Sequence, residues 1–176
     1  MQLLPFTYST PLIIKSEEPS AGIYLHIPFC KQACHYCNFH FSTNLQLKSL
    51  VVESMSKELA LRRDYLGNDH ITSIYFGGGT PSVLTLLEIE KLLNDVFNYF
   101  SIAKDIEITL EGNPDDLTLE KLQGFRSMGI NRLSIGIQSF NDQILRFMNR
   151  AHTSILAKQS VAWARKAQFN NLNSRS

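Results

Sequence analysis

Cys30, Cys34 and Cys37 are the three cysteines of the chain, grouped on one short stretch as C-x-x-x-C-x-x-C. An odd number of thiols cannot pair off completely within the chain. Clustered thiols in a reducing compartment point to metal or redox chemistry rather than to disulfides. Thiolates ligate zinc and iron–sulfur clusters. A closed zinc site takes four ligands, so His26, His35 or His40 would have to complete it. On a four-iron cubane, three thiolates leave one iron without a protein ligand and open to a small molecule. The close spacing suits wrapping a single cluster, but the residues alone leave both readings open.

Three further groups could share that chemistry. Gly77-Gly78-Gly79-Thr80 is neither a Walker A loop nor a dinucleotide fingerprint. It is either a plain turn or a stretch where a ligand amine or carboxylate approaches the backbone closely. Glu111 follows apolar Leu110 and needs a partner if buried, either a ligand or Arg132 or Arg150 as a salt bridge. Gln138 is equally compatible with a core amide and with a ligand contact.

The elements that must position these groups alternate strand and helix. Strands are expected at 22–27, 71–76, 106–110 and 132–137. Helices are expected at 43–66, from Thr80-Pro81 to about Phe100, and at 117–128, 142–148 and 154–167. Thr80 reads as the N-cap of the second helix, with Pro81 in its first position. Such alternation predicts an α/β fold with a parallel sheet, open or closed into a barrel. Active sites in such folds lie beyond the carboxyl ends of the strands. The cysteine loop, the glycine run, Glu111 and Gln138 each follow or end a strand, so all four are expected on one rim. Residues 1–20, with Pro5, Pro11, Pro19 and a Ser-Glu-Glu run, read as a loosely ordered extension.

Composition agrees with one globular unit. The 176 residues are 44% hydrophobic and 19% charged, which excludes disorder. The net charge of +1, from 17 basic and 16 acidic residues, gives no electrostatic footprint for nucleic acid. No apolar run approaches the ~20 residues of a membrane span, and a cytoplasmic location is expected.

Five stretches carry a resemblance to a known family. Gly22-Ile-Tyr-Leu-His-Ile-Pro-Phe-Cys30 with Cys34-His-Tyr-Cys37 resembles the radical S-adenosylmethionine (SAM) superfamily. Within it, the likeness is to the branch of oxygen-independent coproporphyrinogen III dehydrogenases and HemW-type heme chaperones. Phe76-Gly-Gly-Gly-Thr-Pro-Ser82, Glu111-Gly-Asn-Pro114, Arg132-Leu-Ser-Ile-Gly-Ile-Gln-Ser-Phe-Asn141 and Met148-Asn-Arg-Ala-His-Thr153 match in the same order. The resemblance implies a partial parallel (βα) barrel over residues 21–176 and a [4Fe–4S] cluster on Cys30, Cys34 and Cys37. It implies that the open iron chelates SAM, whose reductive cleavage gives methionine and a 5′-deoxyadenosyl radical. It places Tyr24, Tyr36, Gly78, Gly79, Thr80, Glu111, Gln138 and Arg150 at SAM, and it assigns no catalytic residue.

The dehydrogenases usually carry a fourth cysteine two positions after the third, where this chain has Phe39. They also usually carry a longer region before the cysteine motif. Both differences favour the heme-chaperone type, with heme or porphyrin, a heme-acceptor protein and an electron donor as partners. The resemblance further implies a fifth strand bearing an aspartate of the SAM pocket, then a sixth strand and another domain. Aligning Asn173 puts that aspartate at Arg175. Only four complete strands are therefore expected, in a core domain that stops before the fifth and sixth.

Overall fold

The computed structural model describes residues 20–67 and 69–175. Apart from Ser20, the expected extension lies outside the described residues. Among the latter, five strands form a single parallel sheet in the order β1 (Ser20–Ile27), β2 (His70–Gly78), β3 (Ile102–Gly112), β4 (Arg132–Gly136) and β5 (Asn171–Arg175). Five α-helices connect them: α1 (Lys48–Leu61), α2 (Leu86–Tyr99), α3 (Leu119–Ser127), α4 (Asp142–Phe147) and α5 (Ser154–Lys166). Strand order follows chain order without a reversal. A doubly wound sheet would reverse direction at a switch point, so the winding is that of a barrel segment.

The register separates an apolar face from a polar one. Leu25, Phe76, Leu110, Leu133 and Leu172 stand opposite one another across all five strands. The first four are buried and Leu172 packs against their cluster. One residue earlier on each strand, the aligned row is Tyr24, Tyr75, Thr109, Arg132 and Asn171. Successive side chains alternate between faces, so the polar row faces away from the apolar one. Parallel sheets usually bury both faces in apolar residues, and here one face is kept for polar groups. Burying one large apolar side chain contributes roughly 1.5–3 kcal/mol, which makes the apolar row a strong register lock. The helices pack in sequence, α1 on α2, α2 on α3 and α3 on α5.

Three expectations are corrected. The sheet extends one strand beyond the four expected, because Asn171–Arg175 pairs with the free edge of β4. That segment has one apolar residue, Leu172, so periodicity did not mark it. The first helix is shorter than 43–66: Asn44 caps a 3-10 turn at Leu45–Leu47, α1 starts at Lys48, and the chain turns after Leu61. The second helix starts at Leu86 and not at Thr80-Pro81. Pro81–Val83 is a 3-10 turn, and the cap is Thr85.

Thr85 and Glu88 form a capping box, with Glu88 N–H donating to Thr85 Oγ1 at 3.2 Å and Thr85 N–H to Glu88 Oε2 at 2.8 Å. The carboxylate also accepts from Ser49 at 3.2 Å and pairs with Lys48, tying α2 to the start of α1. Partial burial pushes the Glu88 carboxyl up, but the bonds from Lys48 and Thr85 outweigh it and leave the group below its ordinary value. A depressed carboxyl contributes stability above its unfolded pKa and loses it as pH falls through the folded one. Among the described residues, no helix is long and apolar enough to cross a membrane.

Thr85→Ala is expected to cost about 1 kcal/mol, read as a melting point lower by ~2–4 °C. Glu88→Gln is expected to melt below the native chain at neutral pH. That gap should close towards about pH 3, where glutamates protonate. A gap that persists or widens in acid would contradict the assigned role.

Candidate functional site

The cysteine loop leaves β1 at the carboxyl end of the sheet and is clamped from two sides. From the segment just after β2, the Gly79 N–H donates to Ile27 O and the Thr80 N–H to Phe29 O, both at 2.8 Å. Gly79 must lack a side chain: a Cβ there would sit 2.7 Å from Phe29 O and 3.0 Å from Cys30 Sγ. From the turn after α4, the His35 N–H donates to Met148 O at 3.1 Å and Asn149 Nδ2 to Ala33 O at 2.7 Å. Gln32 Nε2 returns a bond to Asn149 Oδ1 at 2.6 Å. Asn149 takes a left-handed backbone, φ 56°, which asparagine tolerates better than most residues. Within the loop, Cys30 N–H donates to Ser42 O at 3.0 Å and Cys37 N–H to Cys34 O at 3.1 Å.

All three thiols line one cavity of about 130 Å³ at this rim. Tyr36, Gly78, Gly79, Thr80, Glu111, Gln138 and Arg150 line the same cavity, so the structure brings together every expected site residue except Tyr24. Tyr24 lies on edge strand β1 and is 56% exposed. Its ring stacks on Tyr75 with centroids 5.9 Å apart, and Tyr75 donates to Glu111 Oε1 at 2.5 Å. Neither arginine weighed as a salt-bridge partner for Glu111 takes that place: Arg132 pairs with Glu107 at 3.0 Å. Arg150 donates to Asn113 Oδ1 and Gly136 O, each at 2.7 Å, to Cys34 Sγ at 3.2 Å and to the Tyr36 hydroxyl at 3.3 Å.

Thr80 spends its hydroxyl on Cys30 Sγ at 3.3 Å, which explains why it does not cap a helix. Gln138 has φ 64°, an uncommon conformation for a side chain without a local hydrogen-bonding reason, and a strained backbone is typical of functional sites. Of the three histidines considered as ligands, His35 bonds Phe147 O at 2.8 Å and His26 the Tyr24 hydroxyl at 3.2 Å. Among the described residues, no three His, Cys, Asp or Glu side chains gather tightly enough for a single metal ion.

Burial pushes the Cys30 thiol up, Thr80's hydrogen bond opposes it, and the Cys37 and Cys34 sulfurs add to it while Arg150 relieves it. Burial also raises Tyr36, against the pull of Arg150. The cavity wall keeps two buried polar atoms without partners, Ser134 Oγ and Arg150 Nε. Three thiols lining one cavity, a cation beside them and unpartnered polar atoms in its wall fit a sulfur-ligated cluster with a polar ligand next to it. Asn113, Asn149 and Tyr75 were not singled out beforehand. The two asparagines stood inside matched stretches, and Tyr75 is marked by its alternation with buried Ile74 and Phe76.

Comparison with known proteins agrees with this geometry. The profile of the Radical SAM superfamily matches residues 24–175. A heme chaperone HemW of Synechocystis is 36% identical over 159 residues, covering 87% of this chain and 38% of the relative. An oxygen-independent coproporphyrinogen III oxidase of the same organism is 32% identical over 155 residues, covering 86% of this chain and 33% of the relative. The solved coproporphyrinogen III oxidase HemN of Escherichia coli superposes with a TM-score of 0.83 at 30% identity, covering 89% of this chain and 37% of that one. The chain thus spans between about a third and two fifths of the length of these relatives. With its cysteine loop, parallel register and profile match in agreement, the chain belongs to the radical SAM superfamily, among HemW and HemN homologues.

Proposed function

We propose that this chain carries a [4Fe–4S] cluster on Cys30, Cys34 and Cys37, binds SAM beside it, and serves as a HemW-type heme chaperone in the cytoplasm. The observation that carries the reading is the convergence of all three thiols on one cavity backed by Gly78, Gly79 and Thr80. When bound, a three-cysteine cluster supplies one iron open to coordination and an electron.

The chain's own groups suit a zwitterionic ligand there. Gly78 and Gly79 pack the chain after β2 against β1 and the cysteine loop, which puts their backbone, with Thr80 beside them, at the amino-acid end of SAM. Glu111 offers a carboxylate to an ammonium, while the Arg150 cation faces a carboxylate or a thiolate. Gln138 supplies a neutral amide and Tyr36 a phenol at the rim. Tyr24 reaches the ligand only from the edge of the sheet, through the stack on Tyr75. The domain reading, a core over residues 21–176 behind an N-terminal extension, is part of the same proposal.

Phe39 supports the chaperone over the dehydrogenase. It lines the cavity mouth where the dehydrogenases place a fourth cysteine, and it is 72% exposed. An apolar ring there favours contact with a flat apolar ligand such as heme. The names of the relatives point the same way, with the HemW at 36% and the oxidase at 32% identity from one organism. The alternative is an oxygen-independent coproporphyrinogen III dehydrogenase, supported by the HemN superposition. The proposed partners are heme or porphyrin, a heme-acceptor protein and an electron donor.

Anaerobic reconstitution is expected to give an oxygen-sensitive cluster with four irons and acid-labile sulfide. Cys30→Ser, Cys34→Ser and Cys37→Ser should each lose it, because each removes a ligand. Well-folded protein with one zinc and no sulfide would sink the cluster. Heme titration followed by absorption spectroscopy is expected to show binding. Product analysis with coproporphyrinogen III under reducing conditions should find no decarboxylation, and clear turnover would assign the dehydrogenase instead.

A further inference from the structure

Asn113 follows β3 directly and is held by both its backbone and its side chain. Its N–H donates to Ser82 Oγ at 3.1 Å, and that hydroxyl gives its own hydrogen to the buried Asp116 carboxylate at 2.7 Å. The side-chain amide reaches the other way. Oδ1 accepts from Arg150 Nη2 at 2.7 Å, and Nδ2 donates to Thr80 Oγ1 at 3.3 Å. Gly136 leaves room for it, since a Cβ there would lie 2.9 Å from Asn113 Oδ1. Both of these partners also donate to sulfur, Arg150 Nη1 to Cys34 at 3.2 Å and the Thr80 hydroxyl to Cys30 at 3.3 Å. One amide stands behind both donors.

Donor chemistry dictates the direction of each bond. A guanidinium can only donate, so the amide oxygen must face Arg150. The NH₂ then faces Thr80, whose oxygen accepts and whose single hydrogen turns elsewhere, onto Cys30 Sγ. Aspartate at position 113 would keep the shape and the bond from Arg150. It would also accept from Thr80, drawing that hydrogen off the sulfur.

We propose that Asn113 is a positioning residue that aims the Thr80 and Arg150 hydrogen bonds at the Cys30 and Cys34 sulfurs, and so raises the reduction potential of a cluster bound there. The inference rests on the cluster reading above. Hydrogen bonds to ligand sulfurs withdraw electron density, so a cluster that has them accepts an electron more readily.

The test uses the anaerobically reconstituted full chain, native and as Asn113→Asp, Thr80→Val, Thr80→Ser and the Asn113→Asp/Thr80→Val double variant. Iron and acid-labile sulfide are measured first. Midpoint potentials then follow from electron paramagnetic resonance during titration with dithionite, which supplies the single electron. Asn113→Asp and Thr80→Val are each expected to move the midpoint to more negative values, and Thr80→Ser to keep the native value. The double variant should fall no lower than Asn113→Asp alone, because the Thr80 hydrogen has already left the sulfur. If Asn113→Asp fails to fold, Asn113→Ala serves in its place. Its midpoint should fall, and Thr80→Val should add less to it than to the native chain. An unchanged midpoint in the position-113 variant, or fully additive shifts, overturns the inference and leaves the cluster reading standing. A native chain that takes up neither iron nor sulfide overturns the cluster reading and this inference with it.

Discussion

Everything at the rim depends on one constraint: the parallel register in which each strand offers apolar residues to one face and polar residues to the other. The row from Leu25 through Phe76, Leu110 and Leu133 to Leu172 locks five strands side by side. A slip by one residue would turn that row away from the helices and bring the tyrosines and charges onto them, so the apolar row decides the polar row as well. With the register set, the carboxyl ends of β1 to β4 lie together. The cysteine loop, Gly78-Gly79-Thr80, Glu111 and Gln138 then have no choice but to share a rim.

Within that frame the cysteine loop has little regular structure of its own, and it is held from outside. Gly79 and Thr80 take two of its backbone carbonyls, and the Met148–Arg150 turn takes the other end through His35, Ala33 and Gln32. Burying thiols is costly for the charged form that binds metal. Arg150 and the Thr80 hydroxyl offset part of that cost at Cys34 and Cys30. The polar groups around the cavity are therefore part of what makes a thiolate tolerable in a half-buried loop.

The comparisons place this arrangement in a family while leaving a division of labour within it. HemW and oxygen-independent coproporphyrinogen oxidase relatives both match nearly all of this chain and between about a third and two fifths of their own length. What they share with it is the sheet and its rim.

The spacing of Cys30, Cys34 and Cys37, the alternation of strand and helix, and the placement of Glu111 and Gln138 beyond strand ends were all legible in the chain. Each is local: it depends on residue type and on neighbours a few positions away. The capping box at Thr85 and Glu88 is local too, and Thr80-Pro81 carries a competing start signal a few residues before it. The rest needed the tertiary structure. Asn171–Arg175 has the composition of a loop and is a strand because β4 presents an open edge. Glu111 meets Tyr75 rather than an arginine, because Arg150 is drawn to Asn113 and to Cys34, 116 positions away in sequence. Thr80 serves a sulfur rather than a helix because β2 ends beside the cysteine loop. A hydrogen-bond partner is chosen by distance in space, and only the packed register of the sheet determines which distant residues come within 3 Å or so of each other.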